Sequence, residues 1–261
     1  MHLDSNLEFW QARASLVTID AAGSPLPIPD DVRLYLMGST QHGPATKSVV
    51  GICQQPNNTA VQAPVVRATM ARLIDWVRKG TPPPDSRYPM QPGDLAKLDR
   101  AAIGFPDLSP IGVKFPTVMN ELAVAEPNVI PFRTNVAKTY RALIPRTNAD
   151  GHDLAAVLLP DVAVPLATYS GWGLRRAGFA EGDLCGLNGI QIPLAPDATK
   201  RRATGDPRPS IEERYGTRAG YVRQVAEVGR KLQAQGFLLG EDVDRFVERA
   251  RDEQRVSHLA P

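Results

Sequence analysis

Between residues 32 and 37 the side chains alternate, with Val32, Leu34 and Leu36 on one side of the repeat and Arg33, Tyr35 and Met37 on the other. A period of two predicts a strand with at least one buried face. The strand runs into a polar turn, Gly38-Ser39-Thr40-Gln41-His42-Gly43-Pro44. Upstream, Phe9, Trp10, Arg13 and Leu16 recur at helical spacing and predict about two turns of helix, capped by Ser5 or Asn6, with Glu8 in the first turn. Pro25, Pro27 and Pro29 then force an extended approach to the strand. After the turn comes the clearest helical pattern. Pro64 suits a first helical position, and Val65, Val66, Thr69, Met70, Leu73, Ile74, Trp76 and Val77 recur at three and four. This helix is expected to lay one face on a sheet and to stop at Gly80, with Thr81-Pro82-Pro83-Pro84 preventing a restart.

From residue 90 to 136 no period is sustained. Pro92, Pro106, Pro110, Pro116, Pro127 and Pro131 interrupt each apolar run, which predicts mostly loop with one or two short strands near Val113 to Val118. A hairpin is expected next: Tyr140 to Ile144 and Leu154 to Leu159 flank a loop rich in Asn, Asp and Gly, with His152 as a turn residue. Arg87 and Tyr88, between prolines, suit either a ligand or a loop pinned to its own domain. Trp172, between Gly171 and Gly173, either lines a pocket or wedges beneath a turn. Near the carboxyl terminus Ser210-Ile211-Glu212-Glu213 has the form of a capping box. Thr217 opens a helix carrying Tyr221, Val225, Val228 and Leu232, and a last helix carries Val243, Phe246, Val247 and Ala250. Stripes this narrow require a sheet or each other for cover.

Composition places the chain among globular proteins: 261 residues, 43% hydrophobic and 22% charged, suffice for one large or two small cores. Thirty basic against 28 acidic residues leave a net charge of +2, which gives no electrostatic footprint for nucleic acid or an anionic membrane. The 24 prolines are well above the usual share of about 5% and confine helices to the gaps between them. Residues 1–8 lack the basic leader and apolar run of a signal peptide, and no window is long enough for a membrane span, so a soluble, unexported, cytoplasmic chain is expected as written. Cys53 and Cys185 are the only cysteines. They suit one disulfide in an exported protein or two buried free thiols, and the thiols are expected in a chain without a signal.

The candidate chemistry is sparse. There is no phosphate-binding glycine loop, no metal-ligand spacing and no repeat, so no cofactor or metal is expected. No serine stands in G-x-S-x-G and neither cysteine lies beside a base, so the chain has no visible nucleophile. His42 remains, in a turn bracketed by Gly38 and Gly43 at a strand end, where both ring nitrogens are usable. A surface histidine in a Gly-rich turn would look the same.

Several segments, in order, resemble a bacterial family of α/β-hydrolase domain proteins: Ser5-Asn6-Leu7-Glu8-Phe9-Trp10, Val32-Arg33-Leu34-Tyr35, the Gly38 to Gly43 turn with His42, and Cys53 with Pro56-Asn57-Asn58. The resemblance continues through Asp75-Trp76-Val77, Ser86-Arg87-Tyr88-Pro89, Pro165-Leu166-Ala167-Thr168-Tyr169, and Asp206-Pro207-Arg208-Pro209-Ser210. It is weakest between residues 90 and 136. Members of this family are ester or amide hydrolases, often with an export signal.

The resemblance implies an α/β fold holding the carboxyl-terminal part of a hydrolase. Residues 1–90 would form the end of the sheet with the acid and histidine loops, 91–196 a proline-rich, hairpin-containing region, and 197–261 a helical segment packed on the same domain. In such folds the triad follows the chain order nucleophile, acid, histidine, and Glu8 and His42 match the last two stations. The nucleophile elbow, oxyanion hole and early strands precede the acid in such a fold, so the chain is expected to be either a truncated open reading frame or a fragment whose amino-terminal half is encoded separately, and a small ester or amide would bind only in the complete fold. The alternative is a non-catalytic binding module derived from a hydrolase. A self-contained enzyme using Ser39 or Ser170 is disfavoured, since neither stands at a strand-to-helix elbow.

Overall fold

A computed structural model describes residues 1–261 except Pro92, Asn120, Glu121, Pro127 and Ala142, with backbone alone for Val136. Pro92 and Pro127, two of the interrupting prolines, and Ala142, inside an expected hairpin strand, therefore lie outside the described residues. Strand β1 (His2–Ser5) leads directly into helix α1 (Asn6–Gln11), and strand β2 (Leu34–Met37) returns parallel to β1, with His2 opposite Leu34 and Ser5 opposite Met37. The helix before β2 is shorter than its spacing predicts. Arg13 adopts a left-handed backbone at φ 59°, and a 3₁₀ turn (Ala14–Val17) replaces the second half.

Two single residues complete the other edge of β2. Arg87 donates to the Leu34 carbonyl at 2.9 Å and accepts from the Leu36 amide at 2.8 Å, and Val157 donates to the Leu36 carbonyl at 2.8 Å and accepts from the Gly38 amide at 3.1 Å. The alternation along β2 separates two cores. Leu34 and Leu36 enter one with Phe9, Trp10, Phe105 and Trp172, while Tyr35 enters the other with Val65, Val157 and Phe237. Both faces of the strand are thus buried, as is usual where helices and loops cover a parallel pair.

Helix α2 (Ala63–Lys79) forms as the spacing predicts, with Pro64 in its first turn and Gly80 at φ 69° ending it. It buries Pro64, Val65, Ala68 and Thr69. Val66, Met70, Ile74 and Val77, at i, i+4, i+8 and i+11, make an apolar stripe that stays exposed. Arg67 is bonded to Asp242, and Arg72 lies against Gly236.

The middle of the chain departs from expectation. Strand β3 (Leu95–Lys97) is followed by the short helix α3 (Arg100–Ile103), and the hairpin is made by β4 (Ala123–Glu126) and β5 (Arg133–Thr139), within or beside the stretch expected to be loop. Residues 113–118 form no strand. Strand β6 (Leu143–Pro145) pairs antiparallel with β3, not with the 154–159 run, and the expected hairpin is reduced to one bridge between Thr147 and Asp153. The turn at Asn148 to Gly151 exists, with Gly151 at φ 80°. His152 beside it is not a surface turn residue: it is 1% exposed.

After helix α4 (Pro160–Ala163), strands β7 (Ala167–Ser170) and β8 (Ile190–Pro193) pair antiparallel. Trp172 beyond β7 is a wedge, ringed by Trp10, Phe105 and Phe115. Tyr88 and Arg87 pin their loop: the Tyr88 hydroxyl donates to Asp4 Oδ2 at 2.6 Å, and the Arg87 guanidinium lies over the Phe237 ring. Helices α5 (Ala198–Thr204), α6 (Ile211–Tyr215), α7 (Arg218–Ala234) and α8 (Gly240–Arg251) close the chain. The Ser210–Glu213 capping box and the Thr217 cap are present, and α7 and α8 cover each other and the Tyr35 core. Among the described residues no helix is long and apolar enough to cross a membrane. Cys53 and Cys185 are joined in a disulfide with Cα atoms 5.8 Å apart, which corrects the expectation of free thiols.

Candidate active site

Parallel neighbouring strands end side by side, about 4.8 Å apart, so whatever follows each of them shares one space. Glu8 lies three residues beyond β1, in the first turn of α1, and His42 lies five residues beyond β2. Their side chains meet: His42 Nδ1 stands 2.6 Å from Glu8 Oε1. Ser5 takes the N-cap position of α1, yet its hydroxyl accepts from no helix N–H and donates instead to Glu8 Oε2. Glu8 is thereby oriented on both oxygens, and the helix N-terminus favours its negative charge.

A carboxylate only accepts, so a neutral His42 carries its proton on Nδ1 and leaves the Nε2 lone pair available. The His42 side chain is 54% exposed, and among the described residues nothing is hydrogen-bonded to Nε2. The ring therefore offers a held, basic nitrogen to an open face.

The turn that carries His42 is fixed by buried polar groups. Ser39 is held at φ 57°, a left-handed conformation that costs a non-glycine residue about 1–3 kcal/mol and persists only when its surroundings impose it. Its amide donates to Asp153 Oδ2 at 2.5 Å and its carbonyl accepts from Asn58 Nδ2 at 2.7 Å. Gln62 donates to the Gln41 carbonyl, and Gln41 Oε1 accepts from the Gly189 amide at 3.2 Å. Asp153 also accepts from Asn6 Nδ2 at 2.8 Å. Burial pushes the Asp153 carboxyl up to about 7, against the lowering effect of its bonds to Ser39. Burial pushes His152 down to about 4. Neither Asn6, Asn58 nor Asp153 stands out in the sequence as a site residue, because each acts between segments distant along the chain.

The serines considered as internal nucleophiles are spent elsewhere. Ser39 is 1% exposed and its hydroxyl accepts from the Asp153 amide at 3.1 Å, while the Ser170 hydroxyl donates to the Trp172 carbonyl at 2.6 Å. The clefts between α7 and α8 and between α2 and α8 are lined by neither Glu8 nor His42. Among the described residues no group of three or more His, Cys, Asp or Glu side chains is placed to hold a metal ion.

A parallel strand pair with polar groups gathered beyond its carboxyl ends is the arrangement by which open α/β sheets place ligands and chemistry. Within that class the chain belongs to a defined family: the model of the alpha/beta hydrolase domain matches residues 2–248, nearly its whole length. No curated protein and no solved structure matches it.

Proposed function

We propose that Glu8 and His42 are the acid and the base of a Ser-His-acid triad for carboxylic ester hydrolysis, and that the attacking serine comes from polypeptide outside this chain. The observation that carries this reading is the 2.6 Å Glu8–His42 pair with Nδ1 engaged and Nε2 open. His42 Nε2 takes the proton of the serine hydroxyl as that oxygen attacks the ester carbonyl, then returns it to the departing alcohol oxygen. Glu8 holds the tautomer and stabilises the imidazolium formed between those steps.

Membership of the alpha/beta hydrolase domain family supports the assignment, since its triads run nucleophile, acid, histidine along the chain. Ser5 is the only serine ahead of Glu8, and its hydroxyl is engaged by that same carboxylate. Two surface features support an external partner. Among the described residues no strand pairs with the outer edge of β1, and the apolar stripe of α2 is exposed. An unpaired edge and an uncovered apolar helix face each suit a further element of polypeptide. The Cys53–Cys185 disulfide supports work in an oxidising compartment.

The test is p-nitrophenyl ester hydrolysis by this chain alone and by the chain co-expressed with the polypeptide encoded immediately upstream. The expected result is background rate alone and turnover for the pair, with His42→Ala reducing that turnover by about 10⁴-fold or more. Turnover by the chain alone that His42→Ala abolishes would show a complete site within it. A stable pair without turnover would favour a non-catalytic binding module.

A further inference from the structure

Asp153 takes no part in the chemistry proposed above, yet it lies where the acid and base segments meet. It is 2% exposed. Oδ1 accepts from Asn6 Nδ2 at 2.8 Å, Oδ2 accepts from the Ser39 amide at 2.5 Å, and the Asp153 amide donates to the Ser39 hydroxyl at 3.1 Å. Asn6 opens α1 two residues before Glu8, and Ser39 precedes His42 by three. Asn6 is itself anchored, since its Oδ1 accepts from the Gly171 amide at 2.8 Å. A Cβ at position 171 would stand 2.5 Å from that oxygen, so this approach requires glycine.

We propose that Asp153 is the positioning residue of the Glu8–His42 pair, a single buried carboxylate that ties the start of α1 to the turn after β2. The proposal rests on reading that pair as acid and base. The chemistry calls for a carboxylate because two N–H donors from two separate elements converge on two oxygens of one side chain. An amide at position 153 accepts one of them and sets an N–H against the other, which leaves a buried donor without a partner. Once the clamp is lost, the left-handed backbone of Ser39 has no acceptor for its amide, and the turn relaxes away from Glu8. The Nδ1 bond of His42 is the first casualty, since it joins the two segments that the clamp holds.

A reciprocal exchange separates this role from simple core stability. Asn6→Asp combined with Asp153→Asn places a carboxylate oxygen against the Gly171 amide and an amide oxygen against the Ser39 N–H. The bond between positions 6 and 153 then runs in the opposite direction, so all three hydrogen bonds are kept. Asn6→Ala removes one arm of the clamp and leaves the carboxylate in place.

The experiment reads the tautomer of His42 in the isolated chain above pH 7, where Asp153 is ionised, by long-range ¹H–¹⁵N correlation through the ring C–H protons, with circular dichroism to establish folding. The wild type is expected to hold the Nδ1–H form. Asp153→Asn and Asn6→Ala lose it in favour of the Nε2–H form that free imidazole prefers, and the reciprocal exchange restores it. A folded Asp153→Asn or Asn6→Ala variant with the wild-type tautomer overturns the proposal, as does a folded exchange variant that fails to recover it. Should Asp153→Asn not fold, the exchange variant and Asn6→Ala decide by the same readout. Because ester hydrolysis is not measured, failure of the hydrolase reading and failure of the clamp appear in different experiments.

Discussion

His152 and Asp153 are adjacent, buried and shifted in opposite senses, and the signs set a pH dependence. Burial raises Asp153 to about 7, above its ordinary value, so its contribution to stability is complete below about pH 4 and is lost as pH rises through 7. Burial lowers His152 to about 4, so its contribution is present above about pH 6.5 and is lost as pH falls through 4. Between pH 4 and 6.5 the two slopes oppose, and unfolding exchanges protons with little net uptake from this pair. Urea denaturation across that range is expected to give a shallow profile for the wild type. Asp153→Asn leaves the histidine slope alone and loses about 3 kcal/mol on going from pH 6.5 to 4; His152→Gln reverses the direction. A wild-type profile as steep as that of either variant would contradict the opposed pair. His42 was legible as a histidine beyond a strand end, and Glu8 as a carboxylate in the first turn of a helix. Asp153 was not, because a buried carboxylate is defined by partners 147 and 114 positions away.

At the scale of elements, α2 was read closely and the expected hairpin was not, and the difference is physical. A helix is stabilised by bonds within itself, so Pro64, the apolar spacing and Gly80 carry its limits locally. A short strand is defined by its neighbour: residues 154–159 read as a strand, but Val157 serves as a single bridge to β2, and β6 pairs with β3. The hairpin that does form, β4 with β5, is short and half-exposed and lacks a clear period of two. The same helix yields a prediction. Met70 is 52% and Val77 79% exposed, so Met70→Glu with Val77→Lys is expected to change stability by less than about 0.5 kcal/mol. The double variant should lower ANS fluorescence and self-association of the isolated chain, and reduce pairing with a partner that covers the stripe. Unchanged dye binding and partner yield would remove α2 from the docking surface.

For the molecule as a whole, the disulfide joins the segment after the histidine turn to the loop between β7 and β8 across a separation of 132 residues. Closing a loop of that length stabilises the folded chain by up to about 5 kcal/mol on chain-entropy grounds. Reduction, or Cys53→Ala with Cys185→Ala, should lower the urea midpoint by a large part of that amount, and an unchanged midpoint would mean the crosslink constrains nothing in the unfolded chain. The two cores explain why so much depends on β2, the thin partition between them.

The sequence by itself determined the period of β2, the limits of α2 and the caps of α6 and α7. These are local properties, written in residues one to four positions apart. Only the tertiary structure decided that β1 and β2 lie parallel, that their carboxyl ends bring Glu8 within 2.6 Å of His42, that Cys53 reaches Cys185, and that Asp153 braces both segments. Each of these joins segments from 32 to 147 positions apart. Contacts of that span depend on which edges pair and which faces bury together, and no local pattern of side chains specifies the partner.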